Sequence, residues 1–196
     1  MLYKYTAALL LLLAVTTGST AQTINAALEK KDTALAISIL KDGVNINAVD
    51  ANWASPLLNA CRNFGADAFS VGFLLRHGAN PDSPRSTAGR TGLIVTCAYY
   101  GDVAVCRLLI AYGANINAAA KDGTTALMKA AQNDKADVVE YLLSKGANPA
   151  LKDTNGKTAL DYATASKVDD YMIKMQATCR VDKNETVRLL TKAMGR

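Results

Sequence analysis

Residues 108–117 have the sequence LLIAYGANIN, and closely related stretches occur at three other places in the chain. They are ILKDGVNIN at residue 39, LLRHGANPD at residue 74 and LLSKGANPA at residue 142. Their glycines follow one another at intervals of 35, 35 and 33 residues; these are Gly43, Gly78, Gly113 and Gly146. A motif that returns at a nearly constant interval of this size predicts a repeat architecture, in which each copy is one supersecondary unit.

The unit between two such glycines is clearest in residues 117–146. Asp122-Gly123 before a threonine is typical of a tight turn, because glycine accepts positive φ and aspartate bonds to its own downstream backbone. Thr125 then caps a first helix, and Gly146 closes a second one. The apolar residues of both segments fall at helical spacing; they are Leu127, Ala130, Ala131, Val138, Val139, Leu142 and Leu143. Each copy is therefore predicted to be turn, helix, helix and loop.

Four helix starts share a further motif, with the sequences SPLL, TGLI, TALM and TALD at 55–58, 91–94, 125–128 and 158–161. With the period and the Gly-Ala-Asn endings, they resemble the Thr-Pro-Leu-His start of the ankyrin repeat over about residues 24–176. The resemblance implies an all-α solenoid of helix pairs joined by β-hairpin loops, with about five repeats and terminal caps. The family histidine is missing from all four starts. Its usual hydrogen bond to the threonine is therefore expected to be absent, with Leu58, Ile94 and Met128 packing instead.

The predicted repeat domain covers residues 22–178, in copies at about 24–49, 50–82, 83–117, 118–150 and 151–178. One helix pair cannot bury its own apolar face, so the copies are expected to stack and to need a cap at each end. Near the carboxyl terminus, an apolar stripe is formed by Val168, Tyr171, Met172 and Met175. Residues 179–196 predict a C-terminal capping helix that begins at Asn184; a frayed basic tail is the alternative.

Residues 1–21 have the pattern of a secretory signal peptide: Lys4, an apolar run at 7–15, and small residues at Ser19 and Ala21. Cleavage is predicted before Gln22. The apolar run has nine residues, whereas a membrane-spanning helix needs about 20. The mature chain is therefore expected to be a periplasmic or secreted protein of a bacterial exported type, with no membrane association after cleavage. An uncleaved N-terminal anchor is the alternative.

The charge pattern and the residue types argue against several function classes. The formal charge is +5, and the basic residues are scattered, which favours a solvated surface over nucleic-acid binding. The one histidine, His77, precedes a loop glycine and is expected to be a helix-end cation. The sequence shows no phosphate-binding glycine loop, serine elbow or histidine pair for a metal. It therefore predicts no enzyme, no cofactor and no metal site.

The chain has four cysteines, Cys61, Cys97, Cys106 and Cys179, which an exported protein can oxidise. Cys61 and Cys97 occupy equivalent positions of neighbouring repeats. Such positions on packed helices are about 8 to 10 Å apart, beyond the roughly 7 Å Cα separation that a disulfide allows, so both are expected to be small buried hydrophobes. Cys106 is expected to do the same, although a bond to Cys97 within one repeat is left open. A redox-responsive protective protein is accordingly the alternative function.

Deviations from the repeat mark the candidate binding residues, because the scaffold explains the residues that recur. Trp53 stands where the other copies have glycine. It is either a hot-spot anchor for a partner or folded back over the edge of the first repeat. The next turn carries Arg85 and Arg90, whose guanidinium groups suit an acidic partner; simple solvation is the alternative.

The predicted partner-binding residues lie on the hairpin turns and on the inner ends of the first helices. They are Asn52, Trp53, Arg62, Arg85, Arg90, Tyr99, Tyr100, Lys121, Lys129, Gln132 and Asn133. Tyrosine and arginine there suit recognition of another protein, although one tyrosine of the pair could instead pack between repeats. As the family resemblance implies a recognition scaffold, the sequence predicts a monomeric, non-enzymatic module that binds a partner protein. An inhibitor or immunity-like role is one form of this function.

Overall fold

The computed structural model describes residues 20–62, 68–82, 87–99, 101–165 and 183–195. These ranges form ten helices: α1 (Thr20–Glu29), α2 (Thr33–Lys41), α3 (Pro56–Arg62), α4 (Ala68–Arg76), α5 (Gly92–Tyr99), α6 (Val103–Ala111), α7 (Ala126–Gln132), α8 (Ala136–Ser144), α9 (Ala159–Ala165) and α10 (Lys183–Ala193). Extended pairing within the described ranges is limited to an isolated bridge between Ala119 and Thr125. The predicted all-α repeat solenoid is confirmed, and the described parts of its turns have hairpin shape without a regular strand.

The helices form two layers, because each copy adds one helix to each layer. The first helices pack in the order α3, α5, α7 and α9, and the second helices in the order α4, α6 and α8. The two helices of a copy also contact each other, and α1 packs against both α3 and α4. Small buried residues such as Ala130 and Ala131 let neighbouring helices approach closely. The core therefore runs along the whole stack between the layers.

In all four helix starts, the hydroxyl of the serine or threonine accepts a hydrogen bond from the backbone N–H three residues later. In two copies, the side chain at that later position also accepts a bond from the threonine. The Thr125 N–H donates to Met128 Sδ at 3.4 Å, and the Met128 N–H donates to Thr125 Oγ1 at 3.3 Å. In the last copy, the N–H and the hydroxyl of Thr158 both donate to Asp161 Oδ2 at 2.7 Å. The expected loss of this bond is therefore wrong for Met128 and Asp161, because a sulfur or a carboxylate accepts it in place of the histidine.

Asparagine side chains join the loops of successive copies. Asn47 Oδ1 accepts from the Asn80 N–H at 2.8 Å, and Asn47 Nδ2 donates to the Gly78 carbonyl at 3.3 Å. Asn117 makes the same two bonds to the loop that follows it, at 2.8 and 3.3 Å. At the same position between them, Asp82 accepts from the next loop at 2.9 Å but has no amide to donate. Side-chain hydrogen bonds thus join successive loops, and the connection made by Asp82 has one bond where the two asparagines make two.

The hairpin turns are also stacked on one another. The Thr154 N–H donates to the Asp122 carbonyl of the preceding turn at 3.0 Å. Gly123 lies in this contact with a φ of 77°, and a Cβ at this position would be 2.8 Å from Asp153 Cα. Glycine is therefore required there both by its backbone conformation and by the close approach of the next turn.

Helix α10 lies within the segment predicted to cap the array. It packs against α8 and α9, buries Leu190 completely, and places the Thr186 hydroxyl 2.9 Å from Asp134 Oδ1. The side chain of Asn184, the stripe at 168–175 and Cys179 lie outside the described residues, as do residues 1–19 of the predicted signal peptide. In the part of the chain that is described, no helix is long and apolar enough to span a membrane.

Candidate partner-binding cleft

Two adjoining cavities lie along the ends of the first helices and the hairpin turns. One, of about 450 Å³, is lined by Ala51, Asn52, Arg62, Thr87, Ala88, Arg90, Val95 and Tyr99. The other, of about 530 Å³, is lined by Arg90, Ala98, Tyr99, Lys129, Gln132, Asn133 and Ala165. Because Arg90 and Tyr99 line both, the two cavities are adjacent, and together we call them the inner cleft.

The repeat explains why residues so far apart in the sequence meet here. Arg62, Ala98, Gln132 and Ala165 occupy the same position of four successive copies, nine residues after the turn position held by Trp53, Gly89, Gly123 and Gly156. Stacking the copies aligns this position along the layer of first helices. Seven of the eleven predicted binding residues line the cleft: Asn52, Arg62, Arg90, Tyr99, Lys129, Gln132 and Asn133.

The other four predicted residues fall into two groups. Trp53 and Lys121 are exposed on the turns beside the cleft, and Arg85 and Tyr100 lie outside the described residues. The lining residues that the sequence interpretation missed are mostly small, such as Ala98 and Ala165. Ala98 and Ala165 have the same repeat position as Gln132, and this equivalence would have predicted them from the sequence.

Charge dominates the chemistry of the cleft. Burial lowers the pKa of Lys129, and the positive charge of Arg90 lowers it further, with Asp122 acting in the opposite direction. Hydrogen bonding from Thr124 lowers the pKa of Asp122, and the charges of Arg90 and Lys129 reinforce this effect. Lys129 Nζ also donates to Gln132 Oε1 at 2.9 Å. The charge of Arg90 thus acts on Lys129, and both side chains line the second cavity.

Asn133 has a structural role that sequence reasoning did not identify. Its Nδ2 donates to the carbonyls of Cys97 and Ala98 in the preceding repeat, at 3.1 and 2.8 Å. These carbonyls belong to the last turn of α5, where backbone acceptors lack helical donors. The Asn133 amide therefore fixes the end of α5 and with it the neighbouring Tyr99, whose side chain is 55% exposed.

Trp53 adopts the backbone conformation that glycine has in the other turns. Its φ is 58°, against 74° to 77° for Gly89, Gly123 and Gly156. Its side chain is 62% exposed, so most of it is not covered by the rest of the protein. A bulky residue at positive φ is a genuine outlier, and such strain clusters at functional sites. The turn thus presents an exposed aromatic side chain next to Asn52, which lines the cleft.

Among the described residues, the histidine stacks on a neighbouring ring and the three cysteines are buried. His77 Nδ1 is 2.8 Å from the Phe73 carbonyl, and the two rings stack with centroids 4.1 Å apart. Cys97 Sγ and Cys106 Sγ are 4.0 Å apart in the core, and burial raises the pKa of Cys61 to about 12. Groups of three or more potential metal ligands do not occur among the described residues.

Comparison with known proteins shows similarity over part of the chain. The family profile described as ankyrin repeats (3 copies) matches residues 93–184. This region runs from α5 to the start of α10 and includes Tyr99, Lys129, Gln132 and Asn133 of the inner cleft.

Similar stretches occur in much longer animal and plant proteins. The chain is 34% identical over 88 residues to human BCL-6 corepressor-like protein 1, covering 45% of this chain and 5% of the relative. It is 33% identical over 128 residues to the Caenorhabditis elegans ankyrin repeat and KH domain-containing protein mask-1, covering 63% and 5%. It is 40% identical over 77 residues to the putative E3 ubiquitin-protein ligase XBAT34 of Arabidopsis thaliana, covering 38% and 20%. The chain thus spans a fifth or less of each of these relatives.

Proposed function

Because this chain carries ankyrin repeats, a family of interaction modules, we propose that it is a non-enzymatic protein that binds a partner protein through the inner cleft and the turn of Trp53. One observation supports the proposal most directly: residues far apart in the sequence meet at the inner cleft. Side chains from three successive copies, predicted from their places on the turns and on the inner ends of the first helices, line two adjacent cavities. Interfaces are enriched in tyrosine, tryptophan and arginine, and all three residue types are present here.

Trp53 is the proposed anchor at one end of this surface. A buried tryptophan is among the most effective hot-spot residues, worth about 2 kcal/mol or more when a partner covers it. In the free protein it adds exposed apolar area and backbone strain instead. A binding role explains why this turn keeps an unfavourable residue.

The test separates binding from folding. The wild-type protein and three variants, Trp53→Gly, Tyr99→Ala and Tyr112→Ala, are immobilised and used for affinity capture from the native envelope fraction. Tyr112 is a matched control, because it is an exposed tyrosine, 43% accessible, at the end of α6 and outside the cleft. We expect a specific partner to be lost with Trp53→Gly and Tyr99→Ala and kept with Tyr112→Ala. Equal recovery by all four proteins would place the binding site elsewhere.

We further propose that the protein is exported and acts in the bacterial periplasm or outside the cell, with an inhibitor or immunity-like role as one form of its function. This location rests on the amino-terminal sequence alone, since the relatives named above come from animals and a plant. Intact-mass measurement of the protein recovered from expressing cells tests it. A chain that begins at Gln22 supports export, and a chain that retains Lys4 argues against cleavage.

One distance favours a second candidate function, a redox-responsive protective protein. The 4.0 Å between the two sulfur atoms of Cys97 and Cys106 is close enough for small side-chain movements to form a disulfide. The reaction would join the sulfurs, release two protons and pass two electrons to a disulfide oxidant. Peptide mapping of protein isolated without reductant would show a Cys97–Cys106 cross-link; four free thiols would remove the basis of this candidate.

A further inference from the structure

The lining of the inner cleft carries charge of one sign. Arg62, Arg90 and Lys129 line it, and no carboxylate does so among the described residues. The carboxylates whose charges act on these cations, Asp50 and Asp122, lie in the hairpin turns outside the lining. A surface of this kind complements a negatively charged ligand.

Lys129 shows how the cleft acts on a charge. Burial and the charge of Arg90 both disfavour the ammonium form of this side chain. An anion placed between the two cations would offset both effects, because an opposite charge within about 4 to 6 Å favours the charged form. A lysine has three N–H donors, and the bond to Gln132 Oε1 uses one of them. The ammonium group can therefore donate to a ligand oxygen as well.

The shape of the cleft fits an extended chain. The cleft reaches from the end of α3 across α5 and α7 to the end of α9. Three steps between packed helices of about 8 to 10 Å each give roughly 24 to 30 Å, which an extended segment of about eight or nine residues spans. The exposed ring of Tyr99 lies midway and offers a rigid apolar contact.

Resting on the proposed function, we propose that the partner enters the inner cleft as an extended acidic segment, with an Asp or Glu carboxylate held between Arg90 and Lys129. Its neighbouring apolar side chains pack on Tyr99. A nucleic acid fits less well, because tight binding of its backbone usually involves six or more neutralised phosphates, whereas the cleft offers three cations.

The experiment is a selection from a display library of random peptides about twelve residues long, long enough to fill the cleft. The purified protein is the target, and Lys129→Gln and Tyr99→Ala variants are tested against the enriched peptides. Lys145→Gln is the matched control, because it removes the same charge from an exposed lysine at the end of α8. We expect peptides rich in Asp and Glu. Their affinity should fall about tenfold with Lys129→Gln, as for a lost charge-assisted bond, and stay unchanged with Lys145→Gln.

Other outcomes separate this inference from the proposed function. Enriched peptides without acidic residues, bound equally by Lys129→Gln but lost with Tyr99→Ala, would overturn the acidic segment and leave the cleft as a protein-binding site. A selection that enriches no peptide at all would count against both. Displacement of the acidic peptides by a single-stranded oligonucleotide of equal charge at equal concentration would overturn the inference in favour of a general polyanion site.

Discussion

The first and third hairpin turns share a backbone conformation but differ in the residue that adopts it. Trp53 has a φ of 58° and Gly123 a φ of 77°. Gly123 faces the next turn so closely that a Cβ would lie 2.8 Å from Asp153 Cα, whereas the Trp53 side chain is 62% exposed. A bulky L-residue loses roughly 1 to 2 kcal/mol in this conformation. The first turn is therefore less stable than glycine would make it.

The comparison distinguishes turn residues that the repeat fold requires from turn residues that it does not explain. The glycine of the third turn is explained completely by the fold, because both space and φ demand it. The tryptophan of the first turn opposes the local preference, and most of its side chain stays exposed. Local conflicts of this kind are expected at functional sites, so the first turn is where a partner should matter most.

The largest expected effect comes from adding one methyl group to the third turn. Gly123→Ala should destabilise the fold by about 3 kcal/mol, since strain at positive φ adds to a clash with backbone atoms. Gly156→Ala is the control, because its φ is 75° and nothing lies within 4 Å of its Cβ position. It should lose only about 1 kcal/mol. Urea unfolding followed by circular dichroism measures both, and equal losses would show that the close approach is relaxed in solution.

Trp53→Gly should increase the stability of the fold, in contrast to Gly123→Ala. Removing the positive-φ strain and the exposed ring should stabilise the fold by about 1 kcal/mol, which raises Tm by several degrees in a domain of this size. The same variant should lose partner capture. If Tm falls instead, the ring stabilises the first repeat, and the comparison between the two turns no longer holds.

Asp82→Asn tests whether a departure from the repeat without an exposed side chain also lowers stability. Asp82 Oδ1 is buried without a hydrogen-bond partner among the described residues, where Asn47 and Asn117 place a donating amide. Restoring that donor should stabilise the fold by about 0.5 to 1 kcal/mol, as measured by thermal unfolding. Asn117→Asp should show a loss of similar size. No change in either variant would mean that water satisfies these atoms.

The smallest effect is expected in acid, at the first turn. Burial alone would raise the pKa of Asp50, but hydrogen bonds from Ala54, Asn59 and Asn52 and the charge of Arg62 outweigh it and lower the pKa. A carboxyl whose pKa is lower in the folded state contributes stability above its unfolded pKa and loses it as the pH falls through the folded value.

This loss of stability should occur below about pH 4, near the ordinary pKa of aspartate. The effect should be under about 1 kcal/mol, because the turn is solvated. The free energy of unfolding should decrease between pH 5 and pH 2.5, and Asp50→Asn should make this decrease smaller. The third turn has Ala120 at this position. Hydrogen-exchange protection, taken relative to the intrinsic rate at each pH, should therefore fall first at the Ala54 amide, which donates to Asp50. Faster exchange at the third turn would contradict this order.

Much of the fold could be predicted because its signals are local. Gly43, Gly78, Gly113 and Gly146 all adopt positive φ, as their place at helix ends indicates. Thr125 caps α7, as its residue type indicates. The bonds made by Met128 and Asp161 could not be predicted from the family motif, because they depend on which atoms reach the threonine once the helix has formed.

The candidate site could be predicted in part. Arg62, Tyr99 and Gln132 stand out in the sequence by residue type and repeat position, and the structure places all three along one cleft. The role of Asn133 could not be predicted from the sequence. Its amide bonds to the preceding repeat are formed 35 and 36 residues away, and no pattern within one copy indicates them.

The sequence by itself determined the repeat, its helix pairs and the turns at which they are joined, because φ preferences, capping and helical periodicity act within a few residues. The tertiary structure alone decided that Arg90 and Lys129 line the same cavity, that the sulfur atoms of Cys97 and Cys106 are 4.0 Å apart, and that most of the Trp53 side chain is exposed. These properties arise from the distance and angle between stacked copies, which depend on the packing of every buried side chain in between.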